Sequence, residues 1–209
     1  MSPVTRIAAL LASAAVLVGL GIGAFMVIRG PEADPFSDCR RTQVAGGSAA
    51  IGGPFSLIDG SGTQVTEADV IEGPTLVYFG YSFCPDVCPV DLARNAVAGD
   101  LLAERGVEVG LAFITIDPER DTPDVVGVYS EAMHPDMIGL SGTADEIAAA
   151  ARAYRVYYAR NGEDPDYYLM DHSTFTYLMA PEVGFLEFFG SDVPPAEVAD
   201  AVACFAGKL

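Results

Sequence analysis

The chain has no tryptophan, two histidines and four cysteines in 209 residues. It is also poor in positive charge. Eleven Lys and Arg stand against 29 Asp and Glu, for a net charge of −18 at pH 7. Such a field repels nucleic-acid phosphates, which excludes that class of partner and favours cations and basic protein faces. There is no internal repeat and no low-complexity block beyond residues 30–37, so a solenoid is excluded as well. Any soft-metal or thiol chemistry must draw on the six histidines and cysteines.

Apolar residues, by contrast, make up 51% of the chain, and part of that excess lies in one block. Residues 7–28 carry no charge and are flanked by Arg6 and Arg29. As a helix this run reaches about 33 Å, enough for a hydrocarbon core of about 30 Å. Residues 1–29 therefore read as a single N-terminal membrane anchor, residues 30–48 as a linker and residues 49–209 as one domain with a sizeable core. A cleaved secretory signal is the competing reading. The run is longer than the usual signal core, and no small-x-small cleavage site follows it convincingly. Gly19 and Gly23 form a GxxxG pair, which we read as ordinary small-residue content. The amino terminus adds a second positive charge beside Arg6, which orients the anchor N-terminus in. Both readings put the domain on the non-cytoplasmic side, the periplasm if the anchor sits in an inner membrane.

Along the domain, residues 51–58 and 65–70 flank Asp59-Gly60-Ser61-Gly62 and read as an N-terminal β-hairpin. Residues 75–80 and 109–116 are near-continuous apolar runs, expected of strands buried on both faces. Between them Val90, Ala93, Val97 and Leu101 recur at helical spacing. Thr122-Pro123 predicts the start of a helix to about Met133. A short strand is expected over residues 137–140. Thr143 with Glu146 predicts a capping box opening a helix over 144–154. Residues 174–179 and 185–189 read as a second hairpin, and Pro194-Pro195 as the start of a last helix to about Phe205. Alternating strands and helices imply a mostly parallel sheet covered on both faces, an α/β domain of the thioredoxin kind.

Cys84 and Cys88 follow the apolar run at 75–80, where a central strand would enter a helix N-terminus. Unpaired N–H groups and the helix dipole there stabilise thiolate. On one helix turn their Cα atoms would be about 6 Å apart, within disulfide reach and workable for two thiolates on one metal. The spacing is CxxxC, one residue longer than the CxxC of thioredoxin-type redox motifs. His172, in Asp171-His172-Ser173-Thr174, precedes a predicted strand that would pack beside the Cys84 strand. Asp171 is a candidate to orient its ring, although neighbours in a strand point oppositely. Two thiolates and an imidazole are a soft donor set; Cu(I) accepts two or three such ligands, and zinc would want a fourth. His134 sits at a predicted helix end and reads as a capping or surface residue.

Three motifs in order, Tyr78-Phe-Gly-Tyr-Ser-Phe-Cys84-Pro-Asp-Val-Cys88-Pro, Ile116-Asp-Pro-Glu-Arg-Asp-Thr-Pro123 and Asp171-His-Ser-Thr174, resemble the Sco/SenC copper chaperones. The resemblance covers about residues 53–203. It implies a thioredoxin-like domain on one transmembrane helix and one copper per chain on Cys84, Cys88 and His172. It also implies a role in assembling the CuA centre of cytochrome c oxidase, with the apo copper-site subunit as partner. The alternative role is a thiol–disulfide oxidoreductase that uses Cys84 and Cys88 to reduce client cysteines before metal loading. In either role no catalytic residue beyond that redox pair is expected. Asp117-Pro-Glu-Arg120 reads as a structural turn. If Cys84 and Cys88 are the working pair, Cys39 and Cys204 remain, and an oxidising compartment would join them in a disulfide. Residues 161–168 form an acidic, tyrosine-bearing loop just before His172, read as a solvated loop, or as a mobile lid over the metal or a docking face for a basic patch on a partner.

Overall fold

A computed structural model describes residues 3, 14, 16–21, 23, 34–42, 44, 51–164 and 167–209. Contacts divide the chain into residues 1–37 and 38–209. In the first unit, residues 16–21 are helical. Most of the expected anchor over 1–29 and part of the linker over 30–48 lie outside the described residues. Among the described residues, no helix is long and apolar enough to cross a membrane.

The second unit carries the sheet. Its order is β1 (Ser56–Asp59), β2 (Gln64–Thr66), α1 (Glu67–Val70), β3 (Thr75–Gly80), α2 (Val87–Glu104), β4 (Gly110–Thr115), α3 (Pro123–Met133), β5 (Met137–Ser141), α4 (Ala144–Ala153), β6 (Tyr158–Asn161), β7 (Leu169–His172), β8 (Thr176–Ala180), β9 (Gly184–Phe189) and α5 (Pro195–Ala206). Seven strands form one sheet in the order β2-β1-β5-β4-β3-β8-β9, and β6 pairs with β7 alone. The β3–β4 and β4–β5 pairs are parallel; β1–β5, β3–β8 and β8–β9 are antiparallel. The α/β class and the closing hairpin are as expected, but the sheet is not mostly parallel: four of its six strand pairs are antiparallel, because both hairpins join the parallel β3-β4-β5 core through antiparallel edges.

Every residue of β3 is buried, which in a period-two strand requires cover on both faces. Phe79 from β3 and Phe113 from β4 are fully buried; removing such a ring from water is worth about 2–3 kcal/mol. The predicted caps recur in the structure. Thr122 precedes Pro123 at the start of α3. Thr143 and Glu146 exchange hydrogen bonds at the start of α4, at 2.8 Å from the Thr143 N–H and 3.3 Å from the Glu146 N–H. The N-terminal hairpin is shorter than expected, because Val70 belongs to α1, which the Thr66–Asp69 capping box opens.

Two readings need correction. Helix α2 exists, but Val90, Ala93 and Val97 are exposed and Leu101 is half-buried. The buried face carries Cys88, Asp91, Leu92, Arg94, Asn95, Ala98 and Leu102. Most of its polar atoms find partners at the sheet end; Asp91 Oδ1 has no hydrogen bond and faces only the Arg94 charge. Arg94 donates to Thr176 Oγ1 at 2.7 Å and to the Gly190 carbonyl, and it lies 3.5 Å from Asp91. Ser191 donates to Asp91 at 2.8 Å, and Asn95 donates to Thr176 at 3.0 Å. Burying a guanidinium is tolerable with this many acceptors, and the network fastens α2 to β8 and to the turn after β9. The second is an antiparallel ribbon that the sequence reading lacked: β6 pairs with β7, Tyr158 opposite His172 and Asn161 opposite Leu169, and it flanks the loop expected at 161–168, of which Asn161 itself ends β6.

Candidate metal centre

β3 ends at Gly80, and the chain turns through residues 81–86 into α2. Cys88 is the second residue of the helix and is fully buried. Cys84 lies before the helix in the turn and is half-buried, so the two thiols do not share a helical turn. They approach because the Cys84 sulfur accepts the Cys88 backbone N–H at 3.4 Å, one of the free donors at the helix N-terminus. Gly80 is what admits Cys88 here. A Cβ at this position would lie 2.9 Å from the Cys88 sulfur and 2.9 Å from the Tyr78 ring.

His172 ends β7 and reaches the thiols from the opposite side. Its Nε2 lies 3.3 Å from the Cys88 sulfur. Its Nδ1 lies 2.8 Å from the Ser173 carbonyl oxygen. A carbonyl only accepts, so Nδ1 carries the proton and the Nε2 lone pair faces the thiols. The rings of Tyr78 and Tyr81 stand edge-on to the imidazole, with centroids at 6.3 and 5.9 Å. Asp171 does not orient the ring. It points away and accepts from the Asn161 side chain at 3.1 Å, as alternation along a strand dictates. One donor atom from each of Cys84, Cys88 and His172 lies within 4.8 Å of the others. They are the only such group of three or more His, Cys, Asp or Glu among the described residues.

The two thiols differ in charge preference. Cys84 is held well below the ordinary thiol range, chiefly by the hydrogen bond from Cys88, aided by backbone N–H groups of Asp86 and Cys88, against the cost of burial. Cys88 is pushed up by the adjacent Cys84 and by burial. The pair therefore holds one proton on the inner sulfur and a thiolate on the outer one.

Residues that the motif reading left as a turn hold this arrangement in place. Asp121 is fully buried and accepts from the Ser82 N–H at 2.9 Å, from the Ser82 hydroxyl and from the Thr115 hydroxyl at 2.7 Å. It thus ties the cysteine turn to the end of β4. Asp117 accepts from Arg120 Nε at 2.6 Å and from the Tyr168 hydroxyl at 2.7 Å. Arg120 also donates to the Tyr168 carbonyl at 3.0 Å and stacks over the Tyr168 ring at 3.6 Å and the Phe83 ring at 4.8 Å. One guanidinium thus joins the cysteine turn to the ribbon that carries His172. Residues 117–120, read as a structural turn, attach the ribbon to the cysteine turn. Sequence spacing offered one signal for it, the placement of charged residues directly after a buried strand. His134 lies away from the cluster, capping α3 and facing Asp100 at 3.3 Å.

Cys39 and Cys204 are bonded to each other, with Cα atoms 5.7 Å apart across 165 residues of chain. The segment that includes Cys39 lies against β9. The Arg41 and Thr42 N–H groups donate to the buried Glu187 carboxylate at 2.7 and 3.2 Å.

The model of one protein family, SCO1/SenC, matches residues 43–207. Protein SenC of Rhodobacter capsulatus is 52% identical over 210 aligned positions, covering all of this chain and 94% of that protein. Among solved structures, Arabidopsis thaliana ScoI with copper bound superposes with a TM-score of 0.71 at 45% identity, over 75% of this chain and 98% of that one. Bradyrhizobium japonicum ScoI with copper bound gives 0.67 at 38% identity, over 74% and 98%.

Proposed function

The chain belongs to the SCO1/SenC family, and from that premise we propose that it is a copper metallochaperone whose cargo site is Cys84, Cys88 and His172. The observation that carries the reading is the convergence of two thiols and a correctly protonated imidazole within 4.8 Å. Two sulfurs and one nitrogen suit copper, whereas zinc would want a fourth ligand. Similar chains hold copper in their solved structures.

Transfer proceeds by ligand exchange and needs no general acid or base. Cys84, half-exposed and ionised, is the sulfur a client ligand reaches first. Cys88 is the inner anchor and gives up its proton when metal arrives. His172, on a ribbon attached through Arg120, closes the site. Phe83 beside Cys84 is 58% exposed, which leaves apolar surface at the rim for a partner. The client that the family implies is the apo copper-site subunit of cytochrome c oxidase, with delivery to its CuA centre. An anchor at residues 1–29 would hold the domain at an inner membrane, facing the periplasm or an equivalent non-cytoplasmic space. The acidic surface suits a basic client face.

The unequal thiols favour a second reading, reduction of client disulfides. The Cys84 thiolate would attack a client disulfide, and Cys88 would then release the second client thiol and leave a Cys84–Cys88 disulfide. Two electrons pass to the client. His172 separates the two readings. Full-length protein should bind one copper, nearly lost in Cys84→Ala or Cys88→Ala. His172→Ala should weaken Cu(I) binding less than Cu(II) binding. His172→Ala should also impair metal loading of an apo client while leaving its thiol content unchanged. If all three variants retain equal copper, the site assignment falls. If His172→Ala cells build the client's copper centre while Cys84→Ser cells do not, the reductase reading replaces the chaperone.

A further inference from the structure

We infer that the cleft at the opposite end of β3 from the metal cluster binds a small organic cation with an apolar body. The cleft has a volume of about 540 Å3, in the range of small-molecule sites. Its wall includes Met179, the partner of Thr75 at the first position of β3. Cys84 and Cys88 follow the last residue, Gly80, so the two sites lie about 17 Å apart along the strand. The inference is independent of the metal reading.

Three features define what would fit. Ile71, Met179 and Phe185 give the cleft apolar walls. Three carboxylates, Glu67, Glu72 and Glu182, line it, and no Lys or Arg is among its lining residues. Tyr154 also lines it; the residue is fully buried, and its hydroxyl has no hydrogen-bond partner among the described residues. Buried hydroxyls are nearly always paired, so an orphan on a cleft wall marks a place for a ligand's polar group. Glu67 and Tyr154 line the same cleft, and burial together with the Glu67 carboxylate pushes Tyr154 up. An ammonium could donate to both the hydroxyl oxygen and the carboxylate. The apolar walls then take the ligand's body.

A metal ion fits less well. The carboxylates do not form a cluster that could share one ion; among the described residues only Cys84, Cys88 and His172 do so. Separated carboxylates and apolar walls suit an extended amine. The rim is also fixed. Gly52 donates its N–H to the Ala153 carbonyl at 2.9 Å, and at φ +90° it packs against Met179, where a Cβ would lie 2.5 Å from the methyl carbon.

The test is calorimetric titration of the full chain with phenethylamine, and with 2-phenylethanol as the neutral isostere. Saturable one-site binding is expected for the amine, at least about tenfold tighter than for the alcohol. Tyr154→Phe and Glu67→Gln should each weaken the amine about tenfold. Cys84→Ser should leave it unchanged, which separates this site from the metal centre. Tyr154→Phe removes only an unpaired hydroxyl, and its melting temperature should equal or exceed that of wild type. Amine and alcohol binding alike in the wild-type protein would overturn the proposal, with no variant needed. So would wild-type amine affinity in Tyr154→Phe.

Discussion

Removing the carboxylate of Asp121 tests whether the metal centre is held by the protein behind it. The side chain accepts three hydrogen bonds, two from Ser82 and one from Thr115, and none of it is exposed. Asp121→Ala strands all three donors. At about 1–2 kcal/mol for each donor left unpaired, the loss is about 4 kcal/mol. Asp121→Asn keeps the shape. Its amide oxygen can still accept from the Ser82 N–H and Thr115, and the Ser82 hydroxyl can rotate to accept from the amide nitrogen. The cost is then about 1–2 kcal/mol, the difference between charged and neutral acceptors.

Ser82 is two residues before Cys84, so slack in this anchor passes directly to the outer sulfur. Copper affinity in Asp121→Ala should fall about 10–100-fold, the usual cost of losing an outer support of a metal site. Urea unfolding and competition against a chromophoric Cu(I) chelator measure the two quantities. Asp121→Ala with wild-type stability would refute the anchor. Asp121→Ala that is destabilised but binds copper normally would refute the link from anchor to site. The acid side adds a sign test. Burial raises Asp121 above the ordinary carboxylate value despite its hydrogen bonds. As pH falls, the folded state takes up this proton before the unfolded state, so the group adds stability on acidification through the window just above pH 3.8. The stability gap between wild type and Asp121→Asn should widen there.

Much of the frame was legible because local rules and tertiary structure agree. The run over 75–80 is apolar throughout, and a strand buried on both faces needs that. The caps at Thr122 and Thr143 are short-range chemistry, and both stand where expected. The alternation of strands and helices carried the α/β class of the thioredoxin kind, which the family resemblance also implies, in agreement with the copper-bound ScoI structures. Helix α2 was legible as a helix but not by face. Its apolar stripe Val90, Ala93, Val97 points outward, while Asp91, Arg94 and Asn95 point in. Hydrophobic spacing cannot locate a core face whose polar groups find partners in Thr176, Gly190 and Ser191, all more than 80 residues away. The β6–β7 ribbon was missed because its strands are short and half-exposed, and Arg160, Asn161 and Asp171 break the apolar alternation.

The motif assignment singled out Cys84, Cys88 and His172 as residue types. It did not give their unequal roles. Those come from Cys84 lying outside the helix and Cys88 inside it, a one-turn difference set by where α2 begins. Beyond the placement of charges just after a buried strand, spacing did not reveal Asp121 and Arg120 as supports, because each also acts on a partner from a distant part of the chain, Ser82 and Tyr168. The buried Asp121 and the stacked Arg120 are visible only once β4 and the ribbon are placed beside the cysteine turn.

Three further outcomes are expected. Arg120→Ala should cost about 2–3 kcal/mol, since it leaves Asp117 without its cation and removes the stack on Tyr168. Because it loosens the ribbon that carries His172, it should weaken Cu(II) more than Cu(I); equal weakening would show that His172 is not held through Arg120. Iodoacetamide at pH 6 should modify Cys84 and spare Cys88 in apo protein, because the outer thiol is half-exposed and already ionised while its neighbour and burial keep the inner one protonated. Peptide mapping that finds Cys88 modified first, or a rate rising with an ordinary thiol midpoint near pH 8.5, would contradict this. Finally, Cys39→Ser with Cys204→Ser should lower stability by up to about 5 kcal/mol, the chain-entropy value for a loop of 165 residues. Cys204 is exposed, so packing adds to that figure only through the buried Cys39. The hydrogen bonds from Arg41 and Thr42 to Glu187 survive in the folded variant but do not restrain its unfolded chain, so they cannot replace the crosslink. Urea midpoints of oxidised wild type and the double variant measure the effect. A loss under about 1 kcal/mol would mean that the unfolded chain is already restrained without the bond.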